Sequence, residues 1–308
     1  MGVPSGVHRL VRALTGWYPY KTPAYELNVF LSWIGFDGKQ PHWLEIRPRG
    51  KLPGIALDVS IRYHRKNYYF LKAYYRQILR APLARFLEET LRPGDVFLDI
   101  GAHLGYFSFL AARHVGADGC VYAFEPDPLS LESLTRSATL NDAPVQICPV
   151  ALSDSPGTAT LHRSVDHTAH SLVAFAANDP RDAAATAHVQ VTTLDEWSRA
   201  EPLDPARVAA IKVDVEGAEP RTIAGALGFL ARAGRPPIWC EVRGRDGSTR
   251  APGTYAAVRD LLVPLGYAPH RFIDGQRVPL LDEDVTGRAD ILFCTADQNG
   301  AVIPNPTG

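Results

Sequence analysis

The sequence predicts an α/β fold: a doubly wound, seven-stranded, mostly parallel sheet preceded by an N-terminal cap. Three observations carry this reading. From residue 95 onward, short β-branched or aromatic runs alternate with stretches whose apolar residues recur at helical spacing, the pattern of repeated βα units. The 308 residues are 46% hydrophobic and 21% charged, with 25 Gly and 25 Pro spread along the chain, which suits a globular protein and excludes collagen-like or largely disordered chains. No charge-free apolar run approaches the roughly 18 residues that would span a membrane.

In chain order, residues 43–47 and 55–62 alternate like short strands. A long helical pattern follows from Asn67 to about Leu91, and Pro93-Gly94-Asp95 stops it. Residues 1–90 therefore form the cap and 91–308 the main domain. The seven strands are expected at 96–100, 120–125, 145–150, 209–215, 237–242, 267–273 and 291–294, with helices at 106–115, 128–141, 218–233 and 255–265. The rhythm breaks over 151–208, where 157–163 and 188–193 read as extra strands around a polar stretch. An insertion of this kind is where substrate loops tend to sit.

Charge divides the chain. Residues 1–90 carry 14 Lys and Arg against 6 Asp and Glu, whereas residues 91–308 carry 18 against 27. A basic front thus precedes an acidic body. The front includes residues 61–80, with six Lys and Arg, five Tyr and no acid. Tyr68, Leu71, Tyr75, Ile78 and Leu79 fall on one helix face, which reads either as packing or as a lid offering Tyr and Arg to a substrate. The acidic remainder and the lack of a recognisable DNA or RNA module argue against nucleic acid. The four cysteines are far apart and lie in apolar runs, so reduced core thiols and a cytoplasmic protein are expected. The N-terminus has no uninterrupted apolar signal region, and Gly6 stands where a myristoylation signal has Ser or Thr.

The strongest chemical signal is VFLDIGAHLGYFSFLA at 96–111: a strand ending at Asp99, a turn through Gly101 and Gly105, then a helix. Glycines there let a ligand approach the backbone, and the helix start offers free N–H groups. The next strand ends in Glu125, placed to accept hydrogen bonds from ribose hydroxyls. The spacing alone fits either NAD or S-adenosylmethionine. Only two glycines and a bulky His103 occupy the turn where a dinucleotide fold needs Gly-x-Gly-x-x-Gly, so a cofactor without a pyrophosphate fits better.

At these residues the sequence resembles the FkbM family of S-adenosylmethionine-dependent methyltransferases. The resemblance runs through Asp99–Gly105, Glu125-Pro-Asp-Pro128 and Ala151-Leu-Ser-Asp154, is sharpest at Ile211–Glu219 (IKVDVEGAE), and ends at Trp239–Val242. It implies a class I methyltransferase (Rossmann-like) fold and methyl transfer to oxygen, usually a hydroxyl of a sugar, glycolipid or polyketide-type molecule. It further implies that Asp99, Gly101, Ala102, His103, Gly105 and Tyr106 line the methionine moiety, that Glu125 with Asp127 serves the ribose, and that Ala151 and Asp154 meet the adenine edge. His103 departs from the Asn common in the family. Residues 166–172 (DHTAHSL) replace a stretch usually richer in Gly and Ser.

The residues themselves add a second cluster. Lys212 and Asp214 are two apart on a strand and share a face, and the strand end opens on the ligand crevice. Asp214 and Glu216 suit a cationic sulfonium; Glu216 and Glu219 also suit a helix N-terminus. No His lies at coordinating spacing, so no metal is expected. An aliphatic hydroxyl needs a base to take its proton as it is methylated. His170, then His167, are the histidines placed in the insertion to do so; Glu241, at the end of its strand, is a further candidate to orient or deprotonate the acceptor, and Asp214 would then stabilise the cofactor's positive charge or orient the acceptor hydroxyl. The expected activity is S-adenosylmethionine-dependent O-methylation of a small-molecule hydroxyl. The rivals are a nicotinamide-dependent oxidoreductase and a non-catalytic cofactor-binding protein of the same fold. A homodimer is left open.

Overall fold

The computed structural model describes residues 43–46, 55–58, 82–163, 170–173, 186–244, 253–280 and 285–296. Two short antiparallel strands, Trp43–Ile46 (β1) and Ile55–Asp58 (β2), come first, and the helix Pro82–Thr90 (α1) leads into the main sheet. β2 rests on a later helix through side-chain bonds from Ser137 and Asn141 to its backbone, Asp58 N–H donating to Ser137 Oγ at 2.8 Å. Of the helix expected from Asn67, only α1 and Leu91 lie among the described residues, so the tyrosine stripe at 68–79 lies outside them.

The run VFLDI, Val96–Ile100 (β3), is buried along its whole length, as a strand covered on both faces must be. Its alternate residues serve two cores: Phe97 enters one, while Val96, Leu98 and Ile100 enter the other. Helix Tyr106–Val115 (α2), strand Cys120–Phe124 (β4), helix Pro128–Asn141 (α3) and strand Val145–Cys148 (β5) follow as βα units. The expected insertion forms a small sheet of Ala151–Leu152 (β6), Gly157–His162 (β7) and Thr186–Thr192 (β8), in the order β6-β8-β7. Helix Leu194–Ala200 (α4) then leads to strand Val208–Val213 (β9).

Beyond β9 come helices Glu219–Ala224 (α5) and Leu227–Arg232 (α6), strand Ile238–Arg243 (β10), helix Thr254–Leu262 (α7), and strands Tyr267–Ile273 (β11), Gln276–Pro279 (β12) and Arg288–Thr295 (β13). The main sheet has the order β12-β11-β13-β10-β9-β3-β4-β5. β5, β4, β3, β9 and β10 run parallel, and β13, β11 and β12 pair antiparallel. All seven expected strands are present in this doubly wound sheet. The sheet nevertheless has eight, because a two-residue turn at Asp274-Gly275, both at positive φ, folds β12 back on β11.

One core gathers residues of α1, α2 and α3, and the other gathers residues of α4, α5, α6 and α7. The helix predicted over 218–233 is two helices. Gly225, at the break, approaches the backbone so closely that a Cβ there would sit 1.9 Å from the Ser153 carbonyl oxygen. Hydrophobic periodicity cannot register such an approach. Among the described residues no helix is long and apolar enough to cross a membrane, and all four cysteines are free, with only Cys120 partly exposed.

Candidate active site

β3 and β9 are neighbours in the sheet, yet the helices that follow them lie on opposite faces: α2 on one, α5 on the other. Chains parting in this way open a crevice at the carboxyl ends of the strands. A cavity of about 110 Å3 occupies it, lined from the ends of β3, β4 and β9 and roofed by His170–Leu172.

The turn after β3 is built on left-handed backbone: Gly101 at φ 84°, His103 at 53° and Gly105 at 86°. Gly101 and Ala102 donate their N–H groups to Phe124 O at 3.0 and 2.9 Å, tying the turn to β4. A Cβ on Gly101 would lie 1.9 Å from the Asp214 carbonyl oxygen. The neighbouring strand end thus by itself demands a glycine there, and Gly101 also lines the cavity. A Cβ on Gly105 would meet Leu134 and Phe109 side chains at 2.4 and 2.6 Å, so that glycine also serves packing and does not line the cavity.

Beneath the turn lies a buried ionic floor. Lys212 Nζ donates to Asp99 Oδ1 and to Gly101 O, each at 3.0 Å, and Ser108 Oγ donates to Asp99 Oδ2 at 2.6 Å. Burial alone would discharge the lysine, but Asp99 and Asp214 outweigh it and hold its pKa above the usual lysine value. Asp99 is fully buried and outside the lining, so it acts on the cavity through Lys212 and the turn rather than by touching a ligand.

Glu125 lines the β4 side of the cavity and accepts the backbone N–H groups of His103 and Asp127, each at 2.8 Å. Burial, the largest influence, pushes its pKa up to about 7 despite those bonds. Asp127 does not line the cavity. It caps α3 by accepting Ser130 N–H at 3.0 Å, binds Arg163 Nε at 2.6 Å, and lies 3.8 Å from His170 Nε2.

On the β9 side, Asp214 and Glu216 line the cavity. Glu216 is at φ 56° and ion-pairs with Arg243 at 2.6 Å, while its carbonyl accepts Ser171 Oγ at 2.7 Å. Glu219, which could have joined this chemistry, instead accepts the N–H groups of Gly217 at 2.9 Å and Val215 at 3.2 Å and so braces the loop. Burial pushes it up to about 7 as well. Glu241 stands behind the lining in close ion contact with Arg288. Burial and then the neighbouring Asp214 push Glu241 well above the usual carboxylate range.

The structure thus brings Gly101, Ala102, His103, Tyr106, Glu125, Ala151, His170, Asp214 and Glu216 to one cavity. It does not bring Asp154 there: that half-exposed carboxylate pairs with Arg221 at 2.8 Å, and this pairing holds its pKa below the usual value. Asp154, expected at the adenine edge, stands outside the cavity lining, and Val150, Ala151 and Leu152 form the wall that follows β5. His167 lies outside the described residues. Arg163, Arg243 and Arg288 were not singled out by sequence, because each joins the site from a distant element with no local motif.

A family profile described as the Methyltransferase FkbM domain matches residues 99–269, more than half of the chain. The chain belongs to the FkbM methyltransferase family. Among curated relatives of this FkbM methyltransferase are the 31-O-demethyl-FK506 methyltransferase FkbM of Streptomyces tacrolimicus, 38% identical over 68 residues, and the ribosomal protein L11 methyltransferase of Bacillus cereus (strain G9842), 40% identical over 57 residues. The matches cover 22% and 18% of this chain and span only 25% and 18% of those relatives. Solved structures similar to it include the Aeropyrum pernix fibrillarin with natively bound S-adenosyl-L-methionine (13% identity, 84% of this chain and 86% of that one, TM-score 0.41). Another is a putative O-methyltransferase from Klebsiella pneumoniae (12%, 95% and 97%, TM-score 0.38). Neither overlap is close enough to bear on the chemistry.

The cofactor of this FkbM methyltransferase is S-adenosylmethionine, and the residues present fit it. Glu125 offers a carboxylate for hydroxyls, Phe124, Pro126 and Leu152 offer apolar surface, and Asp214 and Glu216 offer negative charge for a cationic sulfur. Oxygens of Asp214, Glu216 and Glu241 all lie within 4.8 Å of one another, close enough to share a metal ion. Arg243 and Arg288 already bring positive charge to that cluster.

Proposed function

We propose that this enzyme methylates a hydroxyl oxygen of a small-molecule acceptor such as a sugar, glycoside or polyketide-type product. One observation carries the reading: the cavity has two acidic ends on strands flanking β3, Glu125 after β4 and Asp214 with Glu216 after β9. Two interstrand spacings separate them, about 10 Å, the reach of a nucleoside with its sulfur substituent.

In this reading Glu125 binds the ribose hydroxyls, and Phe124, Val150, Ala151 and Leu152 cradle the adenine. The turn Gly101–His103, Tyr106 and the Lys212–Asp99 floor position the methionine part. When bound, S-adenosylmethionine supplies a methyl group on a cationic sulfur. Asp214 and Glu216 neutralise charge at that end, and Asp214 takes the proton of the acceptor hydroxyl, with Glu241 behind it. His170, expected as the base, leans toward Asp127 on the Glu125 side, so we assign it to closing the cavity over the ribose. Orientation of the acceptor against the methyl group supplies much of the rate. The free, mostly buried cysteines support a reducing cytoplasmic setting.

Calorimetry with S-adenosylhomocysteine, followed by mass spectrometry of a panel of hydroxylated acceptors for the gain of one methyl group, tests the proposal. Binding with methyl gain on oxygen is the expected result. Methyl gain only on nitrogen or carbon acceptors would overturn the hydroxyl reading.

A further inference from the structure

Ser171 stands where the inserted sheet meets the loop that follows β9. Its backbone pairs with His162 at the end of β7, His162 N–H donating to Ser171 O at 2.8 Å and Ser171 N–H to His162 O at 3.0 Å. The residues beside it belong to the nucleoside side of the crevice: Leu172 packs with Ala151 and Leu161, and His170 Nε2 lies 3.8 Å from Asp127, which caps α3. The hydroxyl binds a different element. Ser171 Oγ donates to Glu216 O at 2.7 Å and accepts Val173 N–H at 3.0 Å, and the residue is buried. A single hydroxyl thus ties the roof of the cavity to the acidic loop.

Glu216 needs such a hold. It is not a glycine, yet its backbone sits at φ 56°, in the left-handed region that disfavours any residue with a Cβ. Its carboxylate lines the cavity with Asp214 and is held by Arg243 at 2.6 Å. Glu219 braces the residues on either side by accepting the N–H groups of Val215 and Gly217, while the Glu216 carbonyl accepts from Ser171. A serine hydroxyl has one proton to give, and it goes to the carbonyl of the strained residue. We propose that Ser171 is a positioning residue: by holding the Glu216 carbonyl it keeps the Glu216 carboxylate facing the place of the cationic sulfur, and so links the nucleoside cradle to the methyl-transfer end. This rests on the placement of the sulfur beside Asp214 and Glu216. Without the hydroxyl, Glu216 spends part of its time outside the left-handed region, and a geometry populated only in part binds more weakly by that fraction. The roof itself stays, because its pairing with His162 is backbone to backbone.

Two probes with the same nucleoside separate this role from a structural one. S-adenosylhomocysteine has an uncharged sulfur, whereas sinefungin carries an ammonium at the place of the methyl group. In calorimetry of the full chain, Ser171→Ala should weaken sinefungin by about fivefold or more, the weight of one hydrogen bond, and S-adenosylhomocysteine by less than about twofold. Glu216→Gln, which removes the charge and keeps the shape, should separate the probes in the same direction, and adding Ser171→Ala to it should cost sinefungin little more. Equal losses of both probes in Ser171→Ala, or no loss of either, overturn the proposal, since the hydroxyl then only closes the roof or supports the fold. Should Ser171→Ala not fold, Ser171→Cys takes its place under the same criterion, because a thiol is only a weak donor. If Glu216→Gln binds both probes as the wild type does, the sulfur does not lie beside Glu216, and that placement falls together with the proposal. Discrimination by Glu216→Gln without discrimination by Ser171→Ala overturns the role of Ser171 alone.

Discussion

Lys212 reaches from β9 across to β3 and holds Asp99 at 3.0 Å, with both side chains almost wholly buried. The pair lies under the cofactor turn, because the same ammonium also binds Gly101 O. Lys212→Met leaves Asp99 an uncompensated buried charge and should cost about 3–5 kcal/mol in urea unfolding; Asp99→Asn should cost less, because Asp214 still faces Lys212 at 3.7 Å. Affinity for S-adenosylhomocysteine should fall at least tenfold, about 1.4 kcal/mol. Normal affinity in both variants would separate the ionic floor from cofactor binding.

Gly101→Ala should be far more damaging than Gly253→Ala. Both positions have positive φ, which costs a side chain about 1–2 kcal/mol. Gly101 adds a collision, with the Asp214 carbonyl oxygen at 1.9 Å, whereas a Cβ on Gly253 meets nothing within 4 Å. Melting temperatures and cofactor titrations of the two variants side by side check this.

Cofactor binding should depend on pH through Glu125. Its folded pKa, pushed up to about 7 by burial, exceeds the ordinary 4.5. The folded protein therefore holds a proton that the unfolded chain has lost. The group's stabilising contribution is complete below about 4.5 and disappears as pH rises through 7. Ribose hydroxyls donate best to the carboxylate, so S-adenosylhomocysteine should bind more tightly at pH 8 than at pH 5.5, and Glu125→Gln should flatten that dependence. Calorimetry across the range decides it.

Asp214→Asn should lower kcat by about 10²–10⁴, the usual share of general-base catalysis. His170→Ala should lower kcat much less and raise KM for the cofactor. The reverse ranking in steady-state kinetics would return the base to His170.

Asp154→Ala should leave cofactor affinity within twofold. Its carboxylate is spent on Arg221 at the protein surface, away from the cavity lining.

Much of this site could be read from sequence because its parts are local. Asp99, Gly101 and Glu125 sit at strand ends, where alternation and turn residues announce them, and Lys212 with Asp214 share a face by simple period-two spacing. What escaped is non-local. Arg288 reaches Glu241 across a strand pair 47 positions removed, and Gly225 splits a periodic stretch only because the Ser153 backbone passes beside it. The eighth strand is a different case: Asp274-Gly275 is an open hairpin signal, and its short polar partner QRVP lacks the apolar alternation that marks a strand.

The small sheet of β6, β7 and β8 is fastened to α5 and its end, and α4, which follows β8, is fastened to α6. Thr222 Oγ1 donates to Leu152 O at 2.8 Å, Gly225 lies against Ser153, and Asp195 accepts Gly228 N–H at 3.2 Å. Anyone recombining this protein with a relative to exchange acceptor preference would be tempted to cut at 151 and 192, where the insertion ends. The bonds place the seam elsewhere: a transplanted block that keeps its own supports runs from 151 to about 232, and carries the Asp214–Glu219 loop with it.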